Sequence, residues 1–221
     1  IVKLTKSVAP KSIVHSDGVQ ALMKVKVNLM NLGVDMYSVS AHKVHAPRGV
    51  GGLYIRKGVR INPLILGGGQ EKGLRSATEN LAGIVAFSKI LEKYDKMFNE
   101  NVEKRKVVLD YLRQKISESM PEHIIVSPEN SPHILMLALK GVRGEVMLHS
   151  LEDYGILIGV GSACSSKKGI NKFQSLLSLD DEHKEGIIRI SVSETNTIEE
   201  CDFFIEKLKY LTDKLTDYKR I

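Results

Sequence analysis

Ser38-Val-Ser-Ala-His-Lys43 closes a short apolar run that begins at Val34, and Pro47-Arg-Gly-Val-Gly-Gly52 follows it. Apolar residues alternating with small ones, then stopped by Gly and Pro, read as a strand of an α/β sheet that meets a turn at its carboxyl end. Open α/β sheets hold ligands at that end of their strands, so Lys43 stands where a ligand would sit. Ser40 and His42 beside it are two phosphate-binding candidates, a hydroxyl and an imidazole. Taken alone, Lys43 reads more readily as a surface lysine on a loop, because Ser-x-His-Lys is a short pattern.

Upstream, residues 1 to 11 read as the end of a helix and a Pro-containing turn, and Ser12-Ile-Val-His-Ser-Asp17 as a strand with Asp17 at its carboxyl end. A carboxylate there can pair with a cationic ring nitrogen, and Gln20, in the first turn of a following helix, points back toward the same ligand. Asp17 is equally suited to cap that helix. Residues 19 to 33 read as the helix, closed by Gly33, so the unit is strand, helix, strand.

Downstream, Leu53-Tyr-Ile-Arg56 is a short strand, Ile61 to Leu66 an extended run, and Gly67 to Thr78 a glycine-rich loop. The loop leads into a long helix, kinked or continuous, that carries a Ser76 and Glu79 capping pair and reaches about Ser119. A helix amino terminus behind glycines is a ready anion site, which makes Arg75, Ser76 and Thr78 phosphate candidates; the same loop also suits a hinge.

Past Pro121 the elements shorten. Ile124 to Val126 and His133 to Leu139 read as strands, Arg143 to Tyr154 as a helix, and Ile156 to Val160 and Ile187 to Val192 as strands. A last helix starts at the Thr197 to Glu200 capping box and places Ile198, Cys201, Ile205, Leu208, Leu211 and Leu215 on one face. We set a domain boundary near residue 96, giving domains 1–95 and 96–221. Cys201 lies in register with the apolar face and reads as core. Cys164 sits instead in a small-residue loop beside Lys167 and Lys168, whose charge favours the thiolate.

Composition narrows the function classes. With 43% hydrophobic residues in 221, the chain can build one large or two modest cores. Its 32 basic and 26 acidic residues are interspersed and only 5% of residues are aromatic, which does not suit a nucleic-acid stacking surface. A net charge of +6 still suits an acidic protein partner. No apolar run has the length of a membrane span, and two cysteines fit a reducing compartment such as the cytoplasm.

Asp17, Gln20, Ser40-x-His-Lys43, the glycine loop and the loop cysteine are together far more specific than any one of them. In this order they resemble the cysteine desulfurases of the long-loop NifS/IscS branch, class V aminotransferases. The resemblance runs along essentially the whole chain. It sits in His15-Ser-Asp-Gly-Val-Gln-Ala21, Ser40 to Lys43 with Pro47 to Gly51, Gly67 to Thr78, Gly161-Ser-Ala-Cys-Ser165, and Arg189-Ile-Ser with Asn196-Thr197.

The resemblance implies the pyridoxal-phosphate-dependent fold type I (aspartate aminotransferase-like), here a partial large domain plus an α+β small domain. It implies Lys43 as the lysine that bonds the cofactor, Asp17 as the partner of its ring nitrogen, Gln20 on its ring hydroxyl, and Ser40 and His42 on its phosphate. Thr78 would reach the phosphate of a second subunit, which implies a homodimer. Arg189 would clamp the substrate carboxylate, and Cys164 would take sulfur from L-cysteine as a persulfide, releasing alanine. The sulfur would pass to an iron-sulfur scaffold or a tRNA thiolation enzyme; Ser165, Ser166 and Ser193 resemble the second group more.

Family members carry an amino-terminal half before the position that matches Ile1, with further cofactor and substrate contacts. The chain therefore reads as a carboxyl-terminal portion that is inactive by itself. Gly18 stands where Ala is commoner in the family, and Ser193 where Gly is frequent. Two other readings remain open at this level: a docking module for sulfur-acceptor proteins without catalysis, and a selenocysteine lyase.

Overall fold

The structure, a computed structural model, describes residues 1–160 and 177–217. They divide into two compact units, Ile1–Phe98 and Asn99–Ile221.

In the first unit, α1 (Val2–Val8) precedes β1 (His15–Asp17), α2 (Leu29–Leu32), β2 (Met36–Ser40) and β3 (Gly51–Ile55), and α3 (Leu81–Lys96) closes it. The sheet order is β1-β2-β3. β1 runs parallel to β2 with Asp17 opposite Ser38, whereas β3 is antiparallel to β2 with Gly51 opposite Ser40. Asp35, buried just before β2, ties α1 to the sheet: it accepts from Lys6 Nζ at 2.7 Å and from the Val14 amide at 2.8 Å. Ala41, Val44, Ala46 and Phe87 form the core, with Val39, Val50, Ile90 and Leu91 packed on it.

The second unit contains α4 (Phe98–Ser119), β4 (Ile124–Ile125), β5 (Ile134–Ala138), α5 (Gly144–Glu152), β6 (Ile187–Ser191) and a last helix, α6 (Ile198–Asp217). Its sheet, β4-β5-β6, is antiparallel throughout. Alternation sends Leu135 and Leu137 of β5, and Ile188 and Ile190 of β6, to one face. There they join Val108, Leu109, Leu112 and Ile116 of α4, Met147 and Leu151 of α5, and Cys201, Phe204, Ile205, Leu208 and Leu211 of α6. The α6 capping box forms as its sequence requires: Thr197 Oγ1 accepts from the Glu200 amide at 3.3 Å, and Glu200 Oε2 from the Thr197 amide at 3.1 Å.

Three elements differ from the sequence expectation, and the long helix takes the kinked alternative. Residues 19–25 are turn rather than helix, with Met23 at φ 56°, and only the four residues of α2 are helical before Gly33. Ile61 to Leu66 lies outside any strand, with Leu64 and Leu66 exposed. The long helix is two helices: Met97, at φ −102° and ψ 9°, separates α3 from α4. Among the described residues, Ile156 to Val160 contributes only a bridge from Gly159 to Arg189.

The expected Ser76 cap also fails, for a local reason. Ser76 is buried and its Oγ donates to the Gly68 carbonyl at 2.8 Å, folding the glycine loop back on itself. Ala77, at φ 111°, then leaves the helical path, so α3 starts later. Asn80 is its cap, with Oδ1 accepting from the Gly83 amide at 3.1 Å.

Candidate active site

β1 and β2 are neighbouring parallel strands, so their carboxyl ends lie side by side. Asp17 is the last residue of β1; its exposed carboxylate accepts from the Val19 amide at 2.9 Å, which tightens the turn carrying Gln20. Asp17 therefore caps a turn and not a helix. Ser40 is the last residue of β2, and a 3₁₀ turn, Ala41–Val44, follows at once.

That turn explains how Lys43 is presented. Ala41 and Val44 are wholly buried against the α3 core, while His42 is exposed and Lys43 half-buried. Two small apolar side chains thus anchor the turn and leave the imidazole and the amine on its outer side. His42 Nδ1 lies 2.7 Å from Ser40 Oγ, joining the two phosphate candidates into one hydrogen-bonded pair. His45 ends the turn in a left-handed conformation, φ 62°, and its ring stacks on Tyr94 of α3 with centroids 6.2 Å apart. The structure therefore brings Asp17, Gln20, Ser40, His42 and Lys43 to one end of one sheet.

Thr78 is exposed and belongs to the same unit, in the connection before α3. Arg189 belongs to the second unit, in the middle of β6. It pairs with Met136, so it points to the face opposite the helical core. The Gly159 backbone packs against its guanidinium so closely that a Cβ at residue 159 would come within 2.8 Å of Nη2. Cys164 lies outside the described residues. Cys201, by contrast, is buried in the α4–α6 core, and burial, reinforced by Asp202, pushes its thiol up to about 11.

Tyr37 escaped the sequence reading. It alternates to the opposite face of β2 from Ser38 and Ser40 and is buried there. Its ring reaches beneath Gly18, and its hydroxyl is buried without a hydrogen-bond partner among the described residues. Burial, and secondarily the Asp17 charge, pushes the Tyr37 hydroxyl up from its ordinary value.

A lysine, a carboxylate and a hydroxyl–imidazole pair thus stand together at the strand ends of an α/β sheet. Comparison gives the family: the class-V aminotransferase profile matches residues 1–204, and the chain belongs to that family. It is 43% identical over 201 residues to the NifS/IcsS protein homolog of Lactobacillus delbrueckii subsp. bulgaricus, covering 86% of this chain and 51% of that protein. Identity to the cysteine desulfurase IscS of Clostridium botulinum strain Hall is 37% over 200 residues, 88% of this chain and 50% of that one. A solved NifS-like protein superposes with a TM-score of 0.86 at 33% identity, covering 97% of this chain and 56% of its own. The chain thus spans about half the length of the curated relatives it matches.

Proposed function

We propose that this sequence is the carboxyl-terminal half of the catalytic frame of a pyridoxal-phosphate-dependent cysteine desulfurase. One observation carries the reading: a class-V aminotransferase chain gathers Asp17, Gln20, Ser40, His42 and Lys43 at the ends of two parallel strands. The donor set fits pyridoxal phosphate. An exposed carboxylate suits a protonated ring nitrogen, Gln20 a ring hydroxyl, the Ser40–His42 pair a phosphate, and a primary amine an aldehyde. Bound there, the cofactor would supply an electron sink for carbanion chemistry at the substrate Cα.

The chain's own residues do the rest. The Asp17 carboxylate would face the ring nitrogen and favour its charged form. Lys43, on a turn locked by buried Ala41 and Val44, would hold the cofactor and move protons at the substrate. Arg189 binds the L-cysteine carboxylate with its guanidinium fork, and Gly159 beside it leaves the room that fork needs. Cys164 attacks the substrate sulfur as a thiolate; the C–S electron pair leaves with the alanine fragment and the sulfur stays on Cys164 as a persulfide.

The persulfide then passes to a sulfur-acceptor protein, of iron-sulfur assembly or tRNA thiolation. The enzyme is a cytoplasmic homodimer in which Thr78 serves the partner's site. No described helix is long and apolar enough to cross a membrane.

The test uses the complete polypeptide that contains this sequence. Borohydride reduction with pyridoxal phosphate, followed by peptide mapping, should place the pyridoxyl group on Lys43. Cys164→Ser should abolish alanine production from L-cysteine while retaining that label. Label on another lysine, or undiminished turnover by Cys164→Ser, overturns the assignment.

A further inference from the structure

We infer that Tyr37 is a positioning residue for Asp17, acting through Gly18; the inference rests on the cofactor site proposed above and adds to it a residue from the far side of the sheet. The contact is unusually close. A Cβ built on Gly18 would fall 1.9 Å from Tyr37 Cζ, 2.1 Å from Cε1 and 2.2 Å from the hydroxyl oxygen. Real Cβ atoms do not approach that near, so the Tyr37 ring occupies the volume that any larger residue 18 would need.

Glycine is not required here by its backbone angle, since φ of Gly18 lies outside the left-handed range. Space alone selects it. Gly18 is also the hub of the turn that carries both ring-facing candidates. Its amide donates to the Ser38 carbonyl at 2.8 Å, tying the turn to β2. Its carbonyl accepts from the Ala21 and Leu22 amides, both at 2.9 Å. Asp17 immediately precedes it and accepts from Val19. The hydroxyl end of the Tyr37 ring, packed against this hub, sets the height at which the Asp17 carboxylate and Gln20 stand.

The hydroxyl adds an electrostatic part. Tyr37 is only 6% exposed, and its oxygen has no hydrogen-bond partner among the described residues. A buried donor without an acceptor turns its dipole toward the nearest negative charge. Its oxygen lies against Gly18, the residue that follows Asp17, and burial, followed by the Asp17 charge, raises its pKa. Directed at that carboxylate, the O–H dipole withdraws part of its negative potential from the ring site.

The experiment is made in the complete polypeptide with pyridoxal phosphate as the titrated ligand. Gly18→Ala should weaken cofactor binding about tenfold, and Tyr37→Leu added to it should restore most of that loss, because the two residues share one volume. Tyr37→Phe keeps the ring, folds as the parent does, and removes only the dipole. It should move the pH midpoint of the bound cofactor's visible absorbance upward by about half a unit, since a more negative Asp17 favours protonated states of the site. Asp17→Asn is the reference variant and should alter both readouts. Additive losses in the double variant with an unmoved midpoint in Tyr37→Phe overturn the inference while Asp17→Asn still responds. Failure of Asp17→Asn to respond overturns the inference together with the site beneath it.

Discussion

Arg105 of α4 is wholly buried, and its Nη1 lies 3.0 Å from Glu194 Oε2 in the connection between β6 and α6. At 3.0 Å and an effective dielectric of about 20, the pair attracts by about 5.5 kcal/mol before desolvation of either group is charged against it. Deleting one partner of a buried pair costs about 3–5 kcal/mol, because the other charge keeps its desolvation without its counter-ion. Small domains are stable by about 5–15 kcal/mol, so Arg105→Ala should remove a large share of the second unit's margin. The effect has a location: Glu194 sits in the link that Val192 pins to His133, its amide donating to that carbonyl at 2.9 Å, and that Asn196 Oδ1 closes by accepting from the Ser193 amide at 2.8 Å. Hydrogen exchange followed by mass spectrometry should show opening energies reduced by about 3–5 kcal/mol in peptides from α4 and the β6–α6 link, with α3 unchanged. Replacing both partners by apolar residues, Arg105→Met with Glu194→Leu, should recover most of the loss. A single-variant cost below about 1 kcal/mol, the range of exposed pairs, would refute the reasoning, as would a double variant as unstable as the single.

Asp35 is held below its ordinary value of 3.8, first by the hydrogen bond from Lys6 and then by the Val14 amide. Its folded pKa being the lower one, its stabilisation is present above pH 3.8 and lost as pH falls through the depressed value. Asp35→Asn should therefore flatten the acid limb of first-unit stability, read by hydrogen exchange between pH 5 and 3; an unchanged limb counts against the buried tie. Cys201, raised to about 11, has about one thiolate in a thousand at pH 8. Iodoacetamide should label it only after denaturant is added, and Cys201→Ser in the complete polypeptide should retain the alanine production proposed above; labelling of the native protein at Cys201 would contradict its place in the core.

The short-range signals in this sequence were sufficient for much of the frame. Alternation from Val34 to Val39, stopped by the following turn, placed β2, and the Thr197–Glu200 box with its apolar stripe placed α6. Both are readable because the forces involved act over one turn or one pleat. The same locality misled at Ser76, whose spacing to Glu79 matches a capping box. Its hydroxyl instead donates to the Gly68 carbonyl, a partner the helix pattern does not contain. Ile61 to Leu66 and Ile156 to Val160 have strand composition, but a strand exists only where a neighbouring strand supplies its hydrogen bonds, and among the described residues only Gly159 pairs with a strand, β6.

For the candidate site, chain order alone determined the residue types and their succession: Asp17, Gln20, Ser40, His42, Lys43, Thr78, Cys164 and Arg189. Tertiary structure decided which of them meet. Parallel pairing of β1 with β2 put Asp17 beside the strand that delivers Lys43, and burial of Ala41 and Val44 turned the amine outward. It also decided the role of Tyr37, whose distance from Gly18 along the chain hides a contact too close to admit one more carbon. Composition and periodicity record which face a residue prefers; excluded volume between residues far apart in sequence arises only once the sheet has set their separation.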